Sequence, residues 1–182
     1  MEYDTLPYEH VKDALAQCGP DDSSLCDLFL DILQAGELAS RCEAQFLARF
    51  GLNSARLIIL VLLNNADSGS MRSSEIAKCC RVSRATMTGL LDTLEKADLI
   101  VRAPDPFDRR AMSVKITPKG EDLLEAVQPE QSQWANDILE PLTLAEREEL
   151  RRLLRKTQRV LNTAEQEDSQ APVAAETCRQ ES

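Results

Sequence analysis

The chain has 182 residues and a formal net charge of −10, with few aromatic residues and six cysteines. This length suits one ordinary domain, or a small domain with a helical extension, and the abundance of Leu and Ala favours a mainly α protein. No apolar run approaches the roughly 18 residues that span a bilayer, and the first ten residues are acidic, unlike a secretory signal. We therefore expect a cytoplasmic protein with no membrane partner, whose cysteines are reduced thiols.

The first half of the chain is predicted to be helical. Residues 1–22 are polar and contain a Gly-Pro breaker, so we expect a flexible N-terminal segment. Apolar residues then recur at spacings of three and four over residues 25–50, which predicts a long amphipathic helix that ends at Gly51. Asn53 or Ser54 caps the next helix, which is apolar nearly all round and is therefore expected in the core.

The middle of the chain predicts a helix, a turn, a helix and two strands, in that order. The short first helix covers residues 73–79, and Ser83 caps the second, which reaches about residue 97. The strands cover residues 100–103 and 112–116, and the second of them alternates apolar and polar residues. This order is typical of a winged helix-turn-helix, in which the hairpin forms the wing.

The C-terminal third predicts two further helices and a tail. Pro118 stands at the first position of one helix, and Pro129 is expected to kink or restart it. Thr143 and Glu146 form a capping box for the last helix. Residues 163–182 lack periodic apolar positions and carry a net charge of −4, which predicts a disordered acidic tail.

The winged segment differs from the rest of the chain in charge. Residues 72–119, here called the basic module, contain ten Lys and Arg against six Asp and Glu, a net charge of +4. Everything outside the basic module carries −14. A single basic module in an acidic protein is the pattern expected for binding of nucleic acid.

The second helix of the module supplies the first candidate contacts with DNA. In a helix-turn-helix, the N-terminal residues of this helix lie nearest the base edges of the major groove. An arginine there can pair with guanine or phosphate, and hydroxyl groups can reach phosphate oxygens. The alternative is that a Ser-Arg-x-Thr helix start has no functional role, since it occurs in many proteins. The candidates are Ser83, Arg84, Thr86, Met87 and Thr88.

The tip of the hairpin supplies the second set of candidates. An arginine at a narrow tip can enter the minor groove, where A·T-rich tracts concentrate negative potential. Asp108 can hold one of Arg109 and Arg110 by a bidentate pair and leave the other free. The alternative is a solvated charged loop.

Three motifs resemble the MarR family of bacterial transcription regulators. They are the helix that starts S-R-A-T-M-T at Ser83, the wing sequence D-x-x-D-R-R-A from Asp105, and I-T-P-K-G from Ile116. The resemblance implies a homodimer that reads a palindromic DNA site, with the helix from Ser83 in the major groove. It also implies that Arg110 enters the minor groove and that Asp108 orients the wing arginines. Gly89 departs from the pattern, because many relatives carry a longer side chain there.

The resemblance also implies a domain plan. Residues 23–162 form the MarR-type domain, in which residues 23–51 and 118–162 are dimerisation helices and residues 53–117 are the DNA-binding lobe. The apolar faces of the long terminal helices exceed what one small core can cover, which independently favours a dimer. An effector pocket is implied between the dimer helices and the lobe. Trp134 is a candidate for its lining, or alternatively an anchor in the dimer interface.

The cysteines make a thiol sensor the main alternative to a ligand-responsive regulator. Cys79 and Cys80 are adjacent and precede Arg81, whose charge is expected to lower the pKa of a neighbouring thiol. In the peroxide-sensing branch of the MarR family a reactive cysteine lies near the start of the first long helix, and Cys26 misses that position by about one turn. Cys42 is interpreted as core packing, and the redox candidates are Cys26, Cys42, Cys79 and Cys80.

Other classes of function find little support. The chain has one histidine, neither C-x-x-C nor C-x-x-H spacing, and no Gly-rich phosphate loop, so we expect no enzyme, no metal site and no cofactor. The sequence therefore predicts a mainly α protein with a small β-hairpin wing that acts as a homodimeric repressor of transcription, released from DNA by a small molecule. The alternatives are a redox-sensing regulator of the same fold and a winged-helix module that binds protein.

Overall fold

The computed structural model describes residues 23–170 except 67–68, 106–107 and 109–111. The described residues form six helices and three strands. The helices are α1 Ser23–Ala48, α2 Ser54–Asn64, α3 Ser73–Cys79, α4 Arg84–Lys96, α5 Pro118–Leu139 and α6 Leu144–Gln170. The strands are β1 Met71–Arg72, β2 Ile100–Pro104 and β3 Met112–Ile116. The predicted fold class, mainly helical with a small β-hairpin wing, is confirmed.

The strands form one antiparallel sheet in the order β1-β3-β2. Ile100 lies opposite Ile116, and Pro104 opposite Met112, so β2 and β3 make the predicted hairpin. Strand β1 was not predicted, because two residues are too few to show an alternating pattern. It pairs Arg72 with Ser113 and thereby attaches the start of α3 to the hairpin.

Side chains cap three of the described helices, α2, α4 and α6, at predicted positions. Asn53, and not Ser54, caps α2 by accepting the N–H of Arg56 at 2.9 Å. Ser83 caps α4. The capping box of α6 is present, since Glu146 Oε2 accepts the N–H of Thr143 at 2.8 Å and Thr143 Oγ1 accepts the N–H of Glu146 at 3.3 Å.

The chain divides into two compact units, residues 1–128 and 129–182. The core of the first unit is aliphatic, and its most deeply buried large side chains come from both long and short elements. They are Leu47, Ile59, Leu60, Leu63, Ile76, Met87, Leu91, Leu94, Ile100, Val114, Leu124 and Val127. The unit boundary falls at Pro129. Helix α5 nevertheless runs through that residue without restarting, although an interior proline removes one helical hydrogen bond.

The last helix is longer than the apolar pattern indicated. Helix α6 continues to Gln170, eight residues beyond Asn162, where the apolar repeat stops. Residues 163–170 contain neither Pro nor Gly, so nothing local ends the helix. The remainder of the predicted tail and the predicted N-terminal segment, residues 171–182 and 1–22, lie outside the described residues. None of the helices in the described ranges is long and apolar enough to cross a membrane.

Candidate nucleic-acid interface

Helix α4 presents an exposed N-terminal turn whose hydroxyl groups bond within the helix. Ser83 Oγ accepts the N–H of Thr86 at 3.1 Å and lies 2.8 Å from Thr86 Oγ1. Thr88 Oγ1 donates to the carbonyl of Arg84 at 2.9 Å. Donation from Thr88 to a phosphate would therefore require this internal bond to be exchanged. All four residues are exposed, as their predicted role requires.

Arg84 is the cation of this turn that remains available. Its side chain is exposed and makes no hydrogen bond or ion pair with the residues that the structure describes. It stands on the first helical turn, where the backbone N–H groups also favour anions. A solvated guanidinium in this position can pair with a guanine edge or a phosphate without first breaking an internal salt bridge.

The opposite face of α4 holds the helix against the core. Met87, Leu91 and Leu94 recur at helical spacing and are at most 2% exposed. The prediction that Met87 contacts DNA is therefore corrected. Met87 lies four residues before Leu91 and seven before Leu94, so the three side chains share the face of α4 that packs on the core, whereas Ser83 is the N-cap and precedes the helix. Met87 positions α4 by packing.

Arg102 is committed to an internal cluster. Its guanidinium donates to Glu95 Oε2, at 3.0 Å from Nε, and its Nη2 lies 2.7 Å from Asp92 Oδ1. The hydrogen bond from Arg102 holds the pKa of Glu95 below its usual range, and the bond to Glu95 raises the pKa of Arg102. This cluster ties strand β2 to the second half of α4. The positive charge of Arg102 is thus balanced within the protein.

Arg72 is committed to the base of the wing. Its Nε donates to Asp105 Oδ2 at 2.8 Å and its Nη2 to Oδ1 at 3.3 Å. Asp105 is only 8% exposed and is the buried charged residue of the described core. The same Oδ1 accepts the N–H of Asp108 at 2.9 Å. The bond to Asp105 is the main cause of the raised pKa of Arg72.

Sequence reasoning assigned no role to Arg72 or Asp105. A signal for Asp105 was present, because an aspartate that starts a turn commonly accepts a backbone N–H from two or three residues ahead. No local signal identified Arg72, whose partner is 33 residues away. Asp108 is exposed, and its predicted role in orienting arginines remains a prediction. The predicted minor-groove residues, Arg109 and Arg110, lie outside the described residues.

An open cleft of about 510 Å³ lies beside α4 in the first unit. Three arginines line it, and two of them are the paired Arg72 and Arg102. Arg84 is the third. The remaining lining residues are Ser73, Ser74, Met87, Thr88, Leu91 and Met112. The cleft therefore has the polarity and opening to receive an anionic group from solvent, with Arg84 as its unbalanced charge.

The pKa of the Cys80 thiol is shifted in the direction opposite to the one expected from Arg81. Cys26 and Cys79 are exposed, whereas Cys42 and Cys80 are half-buried. Burial, followed by the charge of the neighbouring Cys79 thiolate, raises the pKa of Cys80, so the expected lowering by Arg81 is not found there. No cluster of three or more potential metal-binding side chains occurs among the described residues. The redox assignments remain predictions.

The second unit contains a cavity that Trp134 does not line. Its volume is about 360 Å³, and it lies between the turn before α6 and one face of that helix. The lining residues are Leu139, Leu142, Arg147, Leu150, Arg151, Leu154, Arg155 and Gln158. Trp134 is half-buried on α5, and its assignment to an effector pocket remains a prediction.

The helices α3 and α4, followed by the hairpin β2 and β3, define a winged helix-turn-helix. Residues 52–112 match the model of the MarR family. The chain is 30% identical to the HTH-type transcriptional repressor YetL of Bacillus subtilis (strain 168) over 130 residues, which are 71% of this chain and 78% of YetL. The chain belongs to the MarR family, a family of transcriptional regulators and not of enzymes. The predicted family and class of function are confirmed.

Two solved structures agree with this assignment. A probable transcriptional regulator from Pseudomonas aeruginosa shares 30% identity at a TM-score of 0.58, with 66% of this chain and 92% of that chain covered. BpsR of Bordetella bronchiseptica shares 30% identity at a TM-score of 0.52, with 69% and 98% covered. The BpsR structure concerns the mechanism by which 6-hydroxynicotinic acid regulates its binding of DNA.

Proposed function

We propose that this protein is a cytoplasmic homodimeric repressor that binds a palindromic operator and is released by a small-molecule ligand. The observation that carries the DNA-binding part is the state of the arginines beside α4. Arg72 and Arg102 are paired with carboxylates, and Arg84 is exposed on the first helical turn with no partner among the described residues. The relative YetL is a repressor by name, which supports the sign of regulation.

Each predicted contact has a chemical role in this proposal. Arg84 pairs with a guanine edge or a phosphate in the major groove, and Ser83, Thr86 and Thr88 face phosphates from the same turn. In the wing, Arg110 enters the minor groove, and Asp108 orients Arg109 and Arg110. Of these residues only the three arginines can neutralise phosphates and release counterions, so affinity should fall as the salt concentration is raised.

The homodimer is supported by large apolar side chains that the described residues leave at least 40% exposed. Five of them lie on α1, namely Leu25, Leu28, Phe29, Leu33 and Leu38, each at least 40% exposed. Others lie in the second unit, namely Ile138, Leu144, Leu150, Leu153, Leu154, Val160 and Leu161. Such faces on long helices are expected to be buried by a second copy. We accordingly retain residues 23–51 and 118–162 as dimerisation helices and residues 53–117 as the DNA-binding lobe.

Release by a ligand is favoured over release by oxidation for two reasons. BpsR, a relative of the same fold, has its DNA binding regulated by an aromatic acid. The raised pKa of Cys80 disfavours its thiolate, which is the form that peroxide oxidises. A ligand releases DNA only if it binds better to a form in which the two recognition helices no longer match the groove spacing.

DNA binding is tested by selecting operator DNA from a random pool and measuring affinity by fluorescence anisotropy. Arg84→Ala should weaken binding by about 1–3 kcal/mol and relax base preference at one position in each half-site. Arg151→Ala is the matched control, because Arg151 is also exposed and is located in the second unit. Failure of the wild type to bind any DNA from the pool, even at low salt, would instead favour a module that binds protein.

The switch is tested by adding peroxide, or a panel of aromatic acids, to the operator complex. The proposal predicts release by an acid, equal in the wild type and in a variant with all six cysteines replaced by serine. Release by peroxide in the wild type but not in that variant would show a redox sensor instead.

A further inference from the structure

We infer that the Arg72 and Asp105 pair is a positioning device that sets the base of the wing for DNA binding, and that Arg72 acts through Asp105 rather than by touching phosphate. This inference rests on the proposed function. It assigns roles to two residues that lie outside the predicted DNA contacts. Here the wing base means the ends of β2 and β3 together with Asp105.

The position of Arg72 is fixed before its side chain reaches the wing. The backbone of Arg72 pairs with Ser113 on β3, and the Arg72 N–H donates to Glu75 Oε2 at 3.0 Å. The guanidinium then crosses to Asp105, which follows the last residue of β2. Since the sheet order is β1-β3-β2, the pair links the two outer strands across the central one.

Asp105 uses both carboxylate oxygens to join this link to the chain that enters the wing. Oδ2 accepts from Arg72 Nε, while Oδ1 accepts from Arg72 Nη2 and from the N–H of Asp108. On the other side of the hairpin, Ser73 Oγ donates to the carbonyl of Met112 at 3.4 Å. The start of α3 is thereby tied to both ends of the wing.

Because Asp105 is buried, it depends on Arg72 as a hydrogen-bond donor. Asp105 is 8% exposed, and a carboxylate that is largely removed from water is destabilising unless it keeps its donors. Arg72 donates from Nε and Nη2 to Asp105, so its charge is already balanced, and it is a poorer ligand for phosphate than Arg84, which has no partner among the described residues. The same buried acid that holds the backbone of Asp108 therefore also holds Arg72 away from the role of a simple DNA-binding cation.

Two interpretations of the pair predict opposite effects of Asp105→Asn. If Arg72 is a phosphate contact that Asp105 partly neutralises, loss of the carboxylate frees a positive charge and tightens binding. If the pair positions the wing, the same change removes a charge-assisted bond and loosens the wing base, so binding weakens although a negative charge has been removed. We expect a loss of about tenfold in affinity for the selected operator, within the range of a base-reading contact.

Asp105→Glu supplies a second, charge-conserving variant. The longer side chain keeps the net charge but displaces the carboxylate by about one methylene, so the positioning role predicts weaker binding and a phosphate contact by Arg72 predicts no change. Asp98→Asn is the matched control for Asp105→Asn, because it removes the same charge from an exposed side chain that makes no hydrogen bond or ion pair with a described residue. Asn also tolerates the positive φ of 61° at this position, so the variant should fold normally and bind at least as tightly as the wild type.

The readout that separates positioning from general damage is the preference for A·T pairs under the wing. Affinity is measured for the operator and for a copy whose A·T pairs at the wing positions are replaced by G·C, at one fixed salt concentration. Both Asp105 variants should lose this preference while α4 still reads its major-groove bases. The reciprocal exchange of Arg72→Asp with Asp105→Arg should restore part of the affinity lost in either single variant.

The outcomes are distinguishable. If the wild type binds the operator and Asp105→Asn binds equally well or more tightly, the inference is wrong while the proposed function stands. The same conclusion follows if both Asp105 variants keep the wild-type preference for A·T pairs. Failure of the wild type to bind any selected DNA would overturn the proposed function and this inference together.

Discussion

Gly120→Ala is expected to destabilise the first unit by overpacking. A Cβ atom at this position would lie 2.4 Å from the carbonyl oxygen of Leu99 and 2.7 Å from Ile116 Cγ1. Both distances are roughly 1 Å or more shorter than ordinary contact, and one of the atoms is backbone. That same carbonyl accepts the N–H of Thr117 at 3.0 Å, so displacement of either element also strains this hydrogen bond.

The magnitude follows from opposing terms. Overpacking costs about 1–3 kcal/mol, and a weakened hydrogen bond adds up to about 1 kcal/mol. Alanine in place of glycine returns about 0.5–1 kcal/mol of helix propensity, because residue 120 lies in the first turn of α5. We therefore expect a net loss of about 1–3 kcal/mol, which lowers the melting temperature by roughly 2–4 °C per kcal/mol for a chain of this size.

The assay is thermal unfolding followed by circular dichroism at one protomer concentration, since dimerisation makes the midpoint depend on concentration. Gly89→Ala is the matched control. Nothing lies within 4 Å of a Cβ atom built there, and the residue is inside α4, so this change should raise stability by about 0.5–1 kcal/mol. If Gly120→Ala melts at or above the wild-type temperature, the close packing of α5 against Leu99 is not as described.

Three further predictions address the wing, the tail and the pH dependence of folding. Arg110→Ala should weaken operator binding by about 1–3 kcal/mol without changing the melting temperature, and wild-type affinity in this variant would refute the wing assignment. Truncation before Thr163 should leave folding and dimerisation intact by light scattering, because that segment carries no apolar repeat to bury; loss of the dimer would contradict this. Hydrogen bonds from Thr143 lower the pKa of Glu146, so the stability that this acid contributes is present above its unfolded pKa of about 4.3 and is lost as pH falls through the folded value. Glu146→Gln should accordingly flatten the acid side of the stability profile measured by urea unfolding, and an unchanged profile would show that the capping box contributes nothing.

Local patterns predicted most of the helices and strands, because their signals lie within a few residues of each other. Ser83 and Asn53 cap helices by accepting an N–H from three residues ahead, and the alternation in Met112–Ile116 predicted strand β3, in which Val114 is buried while Met112 is exposed. Strand β1 escaped prediction because it has two residues and exists only through its pairing with β3.

The sequence predicted that the candidate site binds DNA and where it lies, but it did not predict which arginines are paired with acids. The net charge of the basic module located the DNA-binding lobe, but charge counting treats every arginine as equivalent. The structure separates them, because Arg72 and Arg102 are satisfied by acids while Arg84 has no described partner. These pairs join residues distant in sequence, such as Arg72 and Asp105, which no helical or strand periodicity reveals.

Met87 was predicted to contact DNA from the sequence motif, and the structure shows it in the core instead. Its place in the motif of the recognition helix suggested a base contact, yet the residue is 1% exposed. A position in the sequence of a helix does not by itself fix the face on which a side chain lies, since that depends on the direction from which the core packs. Leu91 and Leu94, buried on the same face, would have given the direction had the stripe been extended back to residue 87.

The most direct test of the account is the stoichiometry and sequence selectivity of DNA binding by the purified wild type. A palindrome obtained from a random pool and a scrambled duplex of equal composition are titrated at the same salt concentration, and the mass of the complex is measured by light scattering. The account predicts selective binding of two chains per palindrome, with half-sites about one helical turn or 34 Å apart. Equal affinity for both duplexes, or a complex that contains a single chain, would contradict it.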